Sequence, residues 1–401
     1  MEDMKKHPPQ TSVLDVTRAT PLLGGLSPEA FMRRHWQKKP LLIRQAIPGV
    51  VPPVSRRELF DLAARDDVSS RLVQQTAAQG WTLRQGPFSS TQWPALKKPG
   101  WTALVQGVDR LVPAAHELLS RFRFVPDARL DDLMVSYATD GGGVGPHFDS
   151  YDVFLLQAQG QRRWRIGRLR EPRLVPGAPL KVLSHFEPEE EWILEPGDML
   201  YLPPRWAHDG VAVGECMTCS IGFRAPARDE FAREVLQRVL DAAQDDAEEA
   251  AQQPDSVRNS ASPLYRDPQQ MATDSPGRIP PAMQTFAQEA IARLMADPHS
   301  QARALGEWLS EPLASTWFDE PLPLVLEEGF RLDARTRMLY DDRHVFINGE
   351  SYRAAGRDAK LMRCLADQRC LSAEQVAQLS EEALDLLDEW LQCGWLVSCQ
   401  G

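Results

Sequence analysis

The clearest chemistry in the chain sits in the run D-G-G-G-V-G-P-H-F-D, residues 140–149. Three consecutive glycines and a proline allow a turn that ordinary side chains would resist. His147 and Asp149 follow it, two positions apart. In extended backbone, positions i and i+2 share a face, so the imidazole and the carboxylate converge on one point. They make two members of a 2-His-1-carboxylate site, the arrangement that holds non-haem Fe(II) and leaves coordination positions open. The pattern alone is weak, because the eight histidines also yield His185-Phe186-Glu187. Context separates the two pairs. His185 runs into Pro188-Glu189-Glu190-Glu191, which reads as a solvated loop, whereas His147 stands between a glycine turn and an apolar stretch.

The third ligand is expected at His208, the end of E-P-G-D-M-L-Y-L-P-P-R-W-A-H. Residues 195–198 read as a turn and 199–202 as a strand. Pro203-Pro204 ends that strand, which leaves His208 in a loop just past its terminus. His7, His35, His116, His299 and His344 fall in terminal, helical or distant segments and take no role. An iron site of this kind needs an electron-donating cosubstrate to activate O2, and 2-oxoglutarate is the usual one. Its distal carboxylate calls for an inward-facing cation. In Q-R-R-W-R-I, residues 161–166, alternation puts Arg162 with Trp164 and Ile166 on the apolar face and turns Arg163 and Arg165 away. A buried cation needs an anion, and arginine grips a carboxylate with two parallel bonds. Arg162 is therefore the candidate, with a buried structural ion pair as the competing explanation. Thr218 and Ser220 share a face of the run 216–223, and Ser136 precedes the glycine turn. Each is a candidate hydroxyl donor to the cosubstrate.

Elements must hold these residues, and the texture from 133 to 223 is that of strands. Short apolar or alternating runs at 133–138, 153–157, 162–166, 191–194, 199–202 and 216–223 are separated by glycine and proline turns, as in a β-sandwich or barrel. Ahead of them, Ser27-Pro28-Glu29 starts a helix that Lys38-Lys39-Pro40 breaks. A short strand follows at 41–43, and further helices follow Ser55 and span 108–122. Beyond Pro226 the period becomes helical: Phe231, Val235 and Val239 recur with Leu236 and Leu240, and Met283, Phe286, Ala290, Ile291 and Leu294 form a second stripe. The acidic, polar stretch 241–281 reads as a flexible connection. The two stripes suit packing on each other or on a second copy of the chain. From about Leu322, strands at 331–340 and 343–347, the hairpin signal Asn348-Gly349, a capping box at Ser372 and a helix over 383–391 suggest a winged-helix-like module.

At 401 residues the chain is long for one domain. A formal charge of −11 speaks against non-specific nucleic-acid binding, and residues 351–401 carry a net −3, which speaks against DNA reading by the last module. An acidic protein can instead be steered toward a basic partner. The six cysteines include Cys216-x-x-Cys219 without a second pair at zinc spacing, which fits free thiols in a reducing cytoplasm. No signal peptide and no membrane-spanning run are expected.

The run G-G-G-V-G-P-H-F-D-S-Y-D-V-F-L-L-Q-A-Q-G-Q-R-R-W-R-I resembles the JmjC-type, cupin-fold ribosomal oxygenases of bacteria. So do D-M-L-Y-L-P-P-R-W-A-H-D-G, S-I-G-F-R-A-P and the early F-M-R-R-H-W-Q-K-K-P-L-L-I-R. The resemblance implies a mainly β catalytic domain of double-stranded β-helix type over 1–226. It implies a helical dimerisation region over 227–315, hence a homodimer, and a winged-helix-like domain over 316–401. It places the iron ligands on His147, Asp149 and His208 and the 2-oxoglutarate arginine on Arg162. The implied substrate is an arginine side chain, hydroxylated at the β-carbon, in the large-subunit ribosomal protein numbered sixteen. A related branch oxidises histidine in another ribosomal protein. Asp140, next to the glycine turn, is then placed to pair with a substrate guanidinium or simply to open the turn. The glycines themselves would leave room for a substrate arm beside the iron. Two other classes are weighed against this one: a cupin metalloenzyme that works without 2-oxoglutarate, and a module that only binds a ribosomal protein. The inward Arg162 opposes the first and the intact ligand set the second.

Overall fold

The computed structural model describes residues 15–76, 80–252, 264–313, 316–319, 329–353 and 355–398. Residues 1–10, read as lacking a signal peptide, part of the expected linker at 253–263, the start of the last module near Leu322, and Cys399 lie outside them. The chain divides into two compact units that interleave along the sequence. One comprises Met1–Ala225, Leu313–Thr336 and Cys364–Gly401, the other Pro226–Pro312 and Arg337–Arg363. No described helix is long and apolar enough to cross a membrane.

The first unit is built on strands β1 (Leu41–Ile43), β2 (Ser70–Thr76), β3 (Gly80–Gln85), β4 (Trp101–Val105), β5 (Leu130–Ala138), β6 (His147–Phe148), β7 (Val153–Arg168), β8 (Glu190–Leu194), β9 (Met199–Leu202) and β10 (Trp206–Phe223). Their order is β1-β9-β7-β10-β5-β4-β2-β3, with β6 against β10 and β8 against β7. The runs expected as separate strands at 153–157 and 162–166 are one strand with a bend. Its corner is Gly160 (φ +63), beside Gly214 (φ +72) of β10, where the β7–β10 register shifts. A Cβ on Gly160 would lie 2.2 Å from the Glu215 carbonyl, so no side chain fits there. Past the corner both strands serve a second layer. Residues 162–166 pair with β8 and 207–208 with β6, while 153–156 pair with β9 and 216–223 with β5. Val153 and Leu155 of the larger layer share a buried cluster with Trp164, Ile166 and Leu194 of the smaller one. The two layers therefore face each other as a sandwich. β2, β3 and β4 extend the larger layer and had no counterpart in the sequence reading.

The opposite face of the larger layer carries Leu133, Val135, Tyr137, Cys219, Ile221 and Phe223, in one core with residues of helices α1 (Pro28–Arg34), α2 (Arg56–Leu62) and α3 (Pro113–Ser120). Ser27 caps α1 with Pro28 at its first position, and Ser55 with Glu58 forms a capping box on α2. The single helix expected over 108–122 is broken. Val108–Arg110 is a 3-10 turn, Val112 is extended and Pro113 begins α3, because a residue before proline is pushed out of the helical region. The segment around Phe31 earns its motif by packing: the Phe31 ring lies 4.9 Å from Tyr201 and 5.4 Å from Phe154. Phe31 is fully buried, and truncation to alanine would cost about 3–5 kcal/mol. Arg44 closes the segment with an ion pair to Asp198 at 2.6 Å. The same unit holds a three-stranded sheet in which Gly329–Leu332 lies between Cys370–Ser372 and Leu396–Ser398.

The second unit contains α4 (Arg228–Gln252), α5 (Pro281–Leu294) and α6 (Pro298–Ser310). Helix α4 runs on through 241–252, which the sequence reading assigned to the flexible connection. Alanine, glutamate and glutamine favour the helix, and Gln237–Asp241 and Gln244–Glu248 add side-chain bonds at the i,i+4 spacing. Strands Met338–Tyr340, His344–Ile347 and Glu350–Arg353 form its sheet. Asn348 (φ +48) and Gly349 (φ +94) make the two-residue hairpin turn.

Candidate metal centre and cosubstrate pocket

His208 is the third residue of β10, not a loop residue. Pro203-Pro204 does end β9, but Arg205 then turns the chain at φ +66 and donates its N–H to the Asp149 carbonyl at 2.8 Å. Extended structure resumes at Trp206. His208 then lies opposite His147 of β6 and Ile166 of β7, held by a neighbour on each side. The rings of His147 and His208 are 4.2 Å apart, and His208 Nε2 is 3.6 Å from Asp149 Oδ2. One ligand atom from each of the three residues lies within 4.8 Å of the others.

Both imidazoles are oriented by backbone. His147 Nδ1 contacts the Gly145 carbonyl at 2.8 Å and His208 Nδ1 the Trp206 carbonyl at 3.0 Å. A carbonyl only accepts, so each Nδ1 carries the proton and each Nε2 presents its lone pair. His208 is 3% exposed. Burial, and then the neighbouring His147, push its pKa down to about 4, which keeps the ring in the neutral form that ligates. Gly145 sits at φ +81, and a Cβ there would lie 2.7 Å from the Trp81 ring. Trp81 of β3 thus packs on the peptide that orients His147. The alternation in Gly80-Trp81-Thr82-Leu83 was the available signal for it.

The other glycines of the run serve the fold. Gly141 donates to the Ala212 carbonyl and Ala212 to that of Gly142, so this segment lies along β10. A Cβ on Gly142 would fall 2.4 Å from the Trp101 carbonyl, and one on Gly143 2.6 Å from that of Gly210. The expectation that these glycines leave space for a substrate arm is corrected, since the space is filled by the protein's own backbone. Asp140 is likewise away from the triad. Its Oδ1 accepts from the Gly214 N–H at 2.8 Å, six residues along β10 from His208, or about 20 Å. It anchors the corner rather than flanking the ligands.

Arg162 faces inward at 3% exposure, while Arg165 on the outer side pairs with Asp209. Arg162 has no such anion among the described residues. Nη1 donates to Ser136 Oγ at 3.3 Å and Thr218 Oγ1 at 3.5 Å, and Nη2 to the Gly210 carbonyl at 3.1 Å. Nε is buried without a partner, and burial lowers the guanidinium pKa. The competing explanation, a buried ion pair, is not realised. Thr218 in turn donates to Gln157 Oε1 at 3.0 Å, a residue the sequence reading passed over. Ser220 shares the face of Thr218 but lies further from the corner, opposite Met134 and Leu155. A buried cation lacking an anion fits a ligand carboxylate, and two inward imidazole lone pairs with one carboxylate fit a divalent metal.

On β5, Asp132 and Met134 share the face of Ser136. Gly107 N–H donates to Asp132 Oδ2 at 2.8 Å, and burial, then Asp109 and Asp131, raise the Asp132 pKa to about 7. The Tyr151 phenol, raised by burial, also feels the charges of Asp149, Asp132, Arg71 and Asp131. His185 and Glu187 form an exposed pair at 3.1 Å, the solvated loop expected of them. Cys216 and Cys219 are free thiols on opposite faces of β10, as a spacing of three in a strand requires.

Residues 117–231 match the JmjC domain model and residues 293–397 the ROXA-like winged helix. The chain is 33% identical over 369 residues to the ribosomal protein uL16 3-hydroxylase of Escherichia coli, covering 88% of this chain and 92% of that protein. Solved structures of YcfD, a ribosomal oxygenase from Escherichia coli, superpose on it at 30% identity. The complex with cobalt and 2-oxoglutarate does so with a TM-score of 0.75, and that with cobalt and succinic acid with 0.76, each over 93% of this chain and 98% of the other. With this extent of likeness behind the ligand triad and the buried arginine, the chain belongs to the JmjC-domain ribosomal oxygenases.

Proposed function

We propose that this chain is an Fe(II)- and 2-oxoglutarate-dependent dioxygenase that hydroxylates the β-carbon of an arginine side chain in ribosomal protein uL16. The observation that carries the reading is the buried, anion-free Arg162 on the same layer of the sandwich as an inward-facing His-Asp-His set. The Escherichia coli relative is named a uL16 3-hydroxylase, and position 3 of an amino acid is its β-carbon. His147, Asp149 and His208 hold the metal through two Nε2 atoms and a carboxylate oxygen. Arg162 grips the distal carboxylate of 2-oxoglutarate, with Ser136 and Thr218 holding the guanidinium in place.

When bound, iron and 2-oxoglutarate supply the oxidising power: O2 is consumed, 2-oxoglutarate becomes succinate and CO2, and one oxygen atom reaches the substrate carbon. The protein contributes order and dryness. The two carbonyls behind the imidazoles fix the ligand geometry without reorganisation, and the packed interior between the layers excludes water from the reacting atoms. Asp132, on the face of β5 that carries Ser136, receives the substrate guanidinium in place of Asp140; a cation there favours the ionised carboxylate that burial disfavours.

Two chains pair through the region 227–315, a role supported by the exposed apolar side chains Leu236, Leu240, Met283 and Ile291 on α4 and α5. The region 1–226 is the catalytic domain, and 316–401 serves a structural or protein-contact role without binding DNA. The protein acts in the cytoplasm, where ribosomal proteins are made. The test is fragment mass analysis of ribosomal proteins from cells with and without the gene, together with turnover of a uL16 peptide. Gain of one oxygen on an arginine of uL16, lost in His208→Ala, is expected. An unmodified arginine in both cell types refutes the substrate.

A further inference from the structure

Arg71 is a second inward guanidinium without an anion. On β2 the side chains alternate: Leu72 enters the core beneath the larger layer, so Arg71 and Val73 point to the opposite face, the one carrying Ser136, Met134 and Thr218. The register agrees, since Arg71 lies opposite Leu104 of β4, and Leu104 opposite Ser136 of β5. Arg71 is half-buried. Its Nε is buried without a partner, and Nη2 reaches only the Met134 thioether, at 3.8 Å, a weak acceptor. Among the described residues no carboxylate stands within ion-pair distance of it, unlike Arg123, Arg165 and Arg335. A guanidinium drawn half out of water with donors unmet is costly unless something else meets them.

Its surroundings say what that is. Arg71 shares a face with Leu104 and Ser136, and its Nη2 lies against Met134, next but one to Asp132 on β5. An arriving carboxylate would meet a like charge in Asp132, on the same face of β5 as Met134. A neutral oxygen would not. Resting on the hydroxylase reading above, we propose that Arg71 is a specificity-determining residue that donates to a main-chain carbonyl of the substrate polypeptide next to the reacting side chain. Asp132 then reads the side chain's charge, and Arg71 fixes the direction and register of the peptide that carries it. The pair would discriminate a peptide from free arginine, which has no such carbonyl beyond its own carboxylate.

The experiment compares wild type, Arg71→Met and Arg71→Lys on a uL16 peptide spanning the target arginine, reading KM and kcat separately. Methionine keeps the apolar stem packed near Met134, so the fold is retained, and thermal melting checks this. Loss of a charge-assisted bond to a neutral acceptor should raise the peptide KM about ten- to a hundredfold in Arg71→Met, with kcat within about twofold. Lysine should recover part of it. Peptides in which one flanking amide is replaced by an ester, whose carbonyl accepts more weakly, identify the partner. One such replacement should cost wild type several-fold in KM and cost Arg71→Met nothing further. If wild type oxidises the peptide and Arg71→Met keeps its KM, this inference alone is overturned. If wild type does not oxidise the peptide, the hydroxylase reading falls, and this one with it.

Discussion

Replacing Arg162 by methionine separates a ligand-gripping residue from a structural one, because the two roles predict opposite effects on stability. The guanidinium makes three hydrogen bonds, at 3.1, 3.3 and 3.5 Å. At about 0.5–1 kcal/mol each, their loss costs about 1.5–3 kcal/mol. Neither hydroxyl is orphaned, since Ser136 still donates to the Thr218 carbonyl and Thr218 to Gln157. Against that loss stands the desolvation of an unpaired charge, several kcal/mol, which methionine relieves. The expected apo stability is therefore within about 2 kcal/mol of wild type, or higher. Binding should suffer in the opposite sense. Two charge-assisted bonds to the 2-oxoglutarate carboxylate, at about 1.5 kcal/mol each, amount to about 3 kcal/mol, or roughly 150-fold in Kd. Denaturation with Mn(II), with and without 2-oxoglutarate, reads both quantities. At a hundred times the wild-type Kd, the cosubstrate stabilises wild type by about 2.7 kcal/mol and the variant by only about 0.3 kcal/mol. A variant that loses more than about 3 kcal/mol of apo stability yet keeps the full 2-oxoglutarate effect would refute the assignment and make Arg162 a strut.

Gly142→Val should abolish folded protein rather than turnover alone, because its Cβ would meet the Trp101 carbonyl at 2.4 Å; a soluble, metal-binding variant on circular dichroism and calorimetry would contradict this. Trp81→Ala should weaken Mn(II) binding about 10- to 100-fold, the range for losing support behind a ligand, while Trp81→Phe retains most of it; titration of the metal decides. Asp132 has a folded pKa raised to about 7, so its contribution to stability is present below pH 4 and lost as pH rises toward 7. Thermal melts of Asp132→Asn should match wild type near pH 4, exceed it increasingly up to about pH 7 and keep a constant lead beyond. The same ionisation should lower the wild-type peptide KM as pH rises through 7, and a flat profile would detach Asp132 from the substrate. Leu240→Asp combined with Ile291→Asp should leave a folded monomer by light scattering if α4 and α5 pair two chains.

What could be read from the sequence is what short-range alternation dictates. His147 with Asp149, and Arg162 with Trp164 and Ile166, are two-residue patterns, and a strand settles their facing wherever it lies in the fold. His208 was legible as a residue but not as a strand position. The double proline marks the end of β9, and nothing local announces that Arg205 turns the chain back into β10. The glycines were misread for a related reason. Whether a glycine frees space or yields to crowding depends on what arrives from elsewhere, here the Trp101 carbonyl on Gly142, the Trp81 ring on Gly145 and the Glu215 carbonyl on Gly160. The same cause separates Asp140 from the triad. Asp140 is nearer to His147 in sequence, yet the intervening run lies extended along β10 and carries it to the corner. Asp132 is further away in the chain, but β5 pairs with the far half of β10, which folds over the layer holding the triad. A bend at two glycines thus sets Asp140 apart from the triad, and that bend is visible only once both strands are paired.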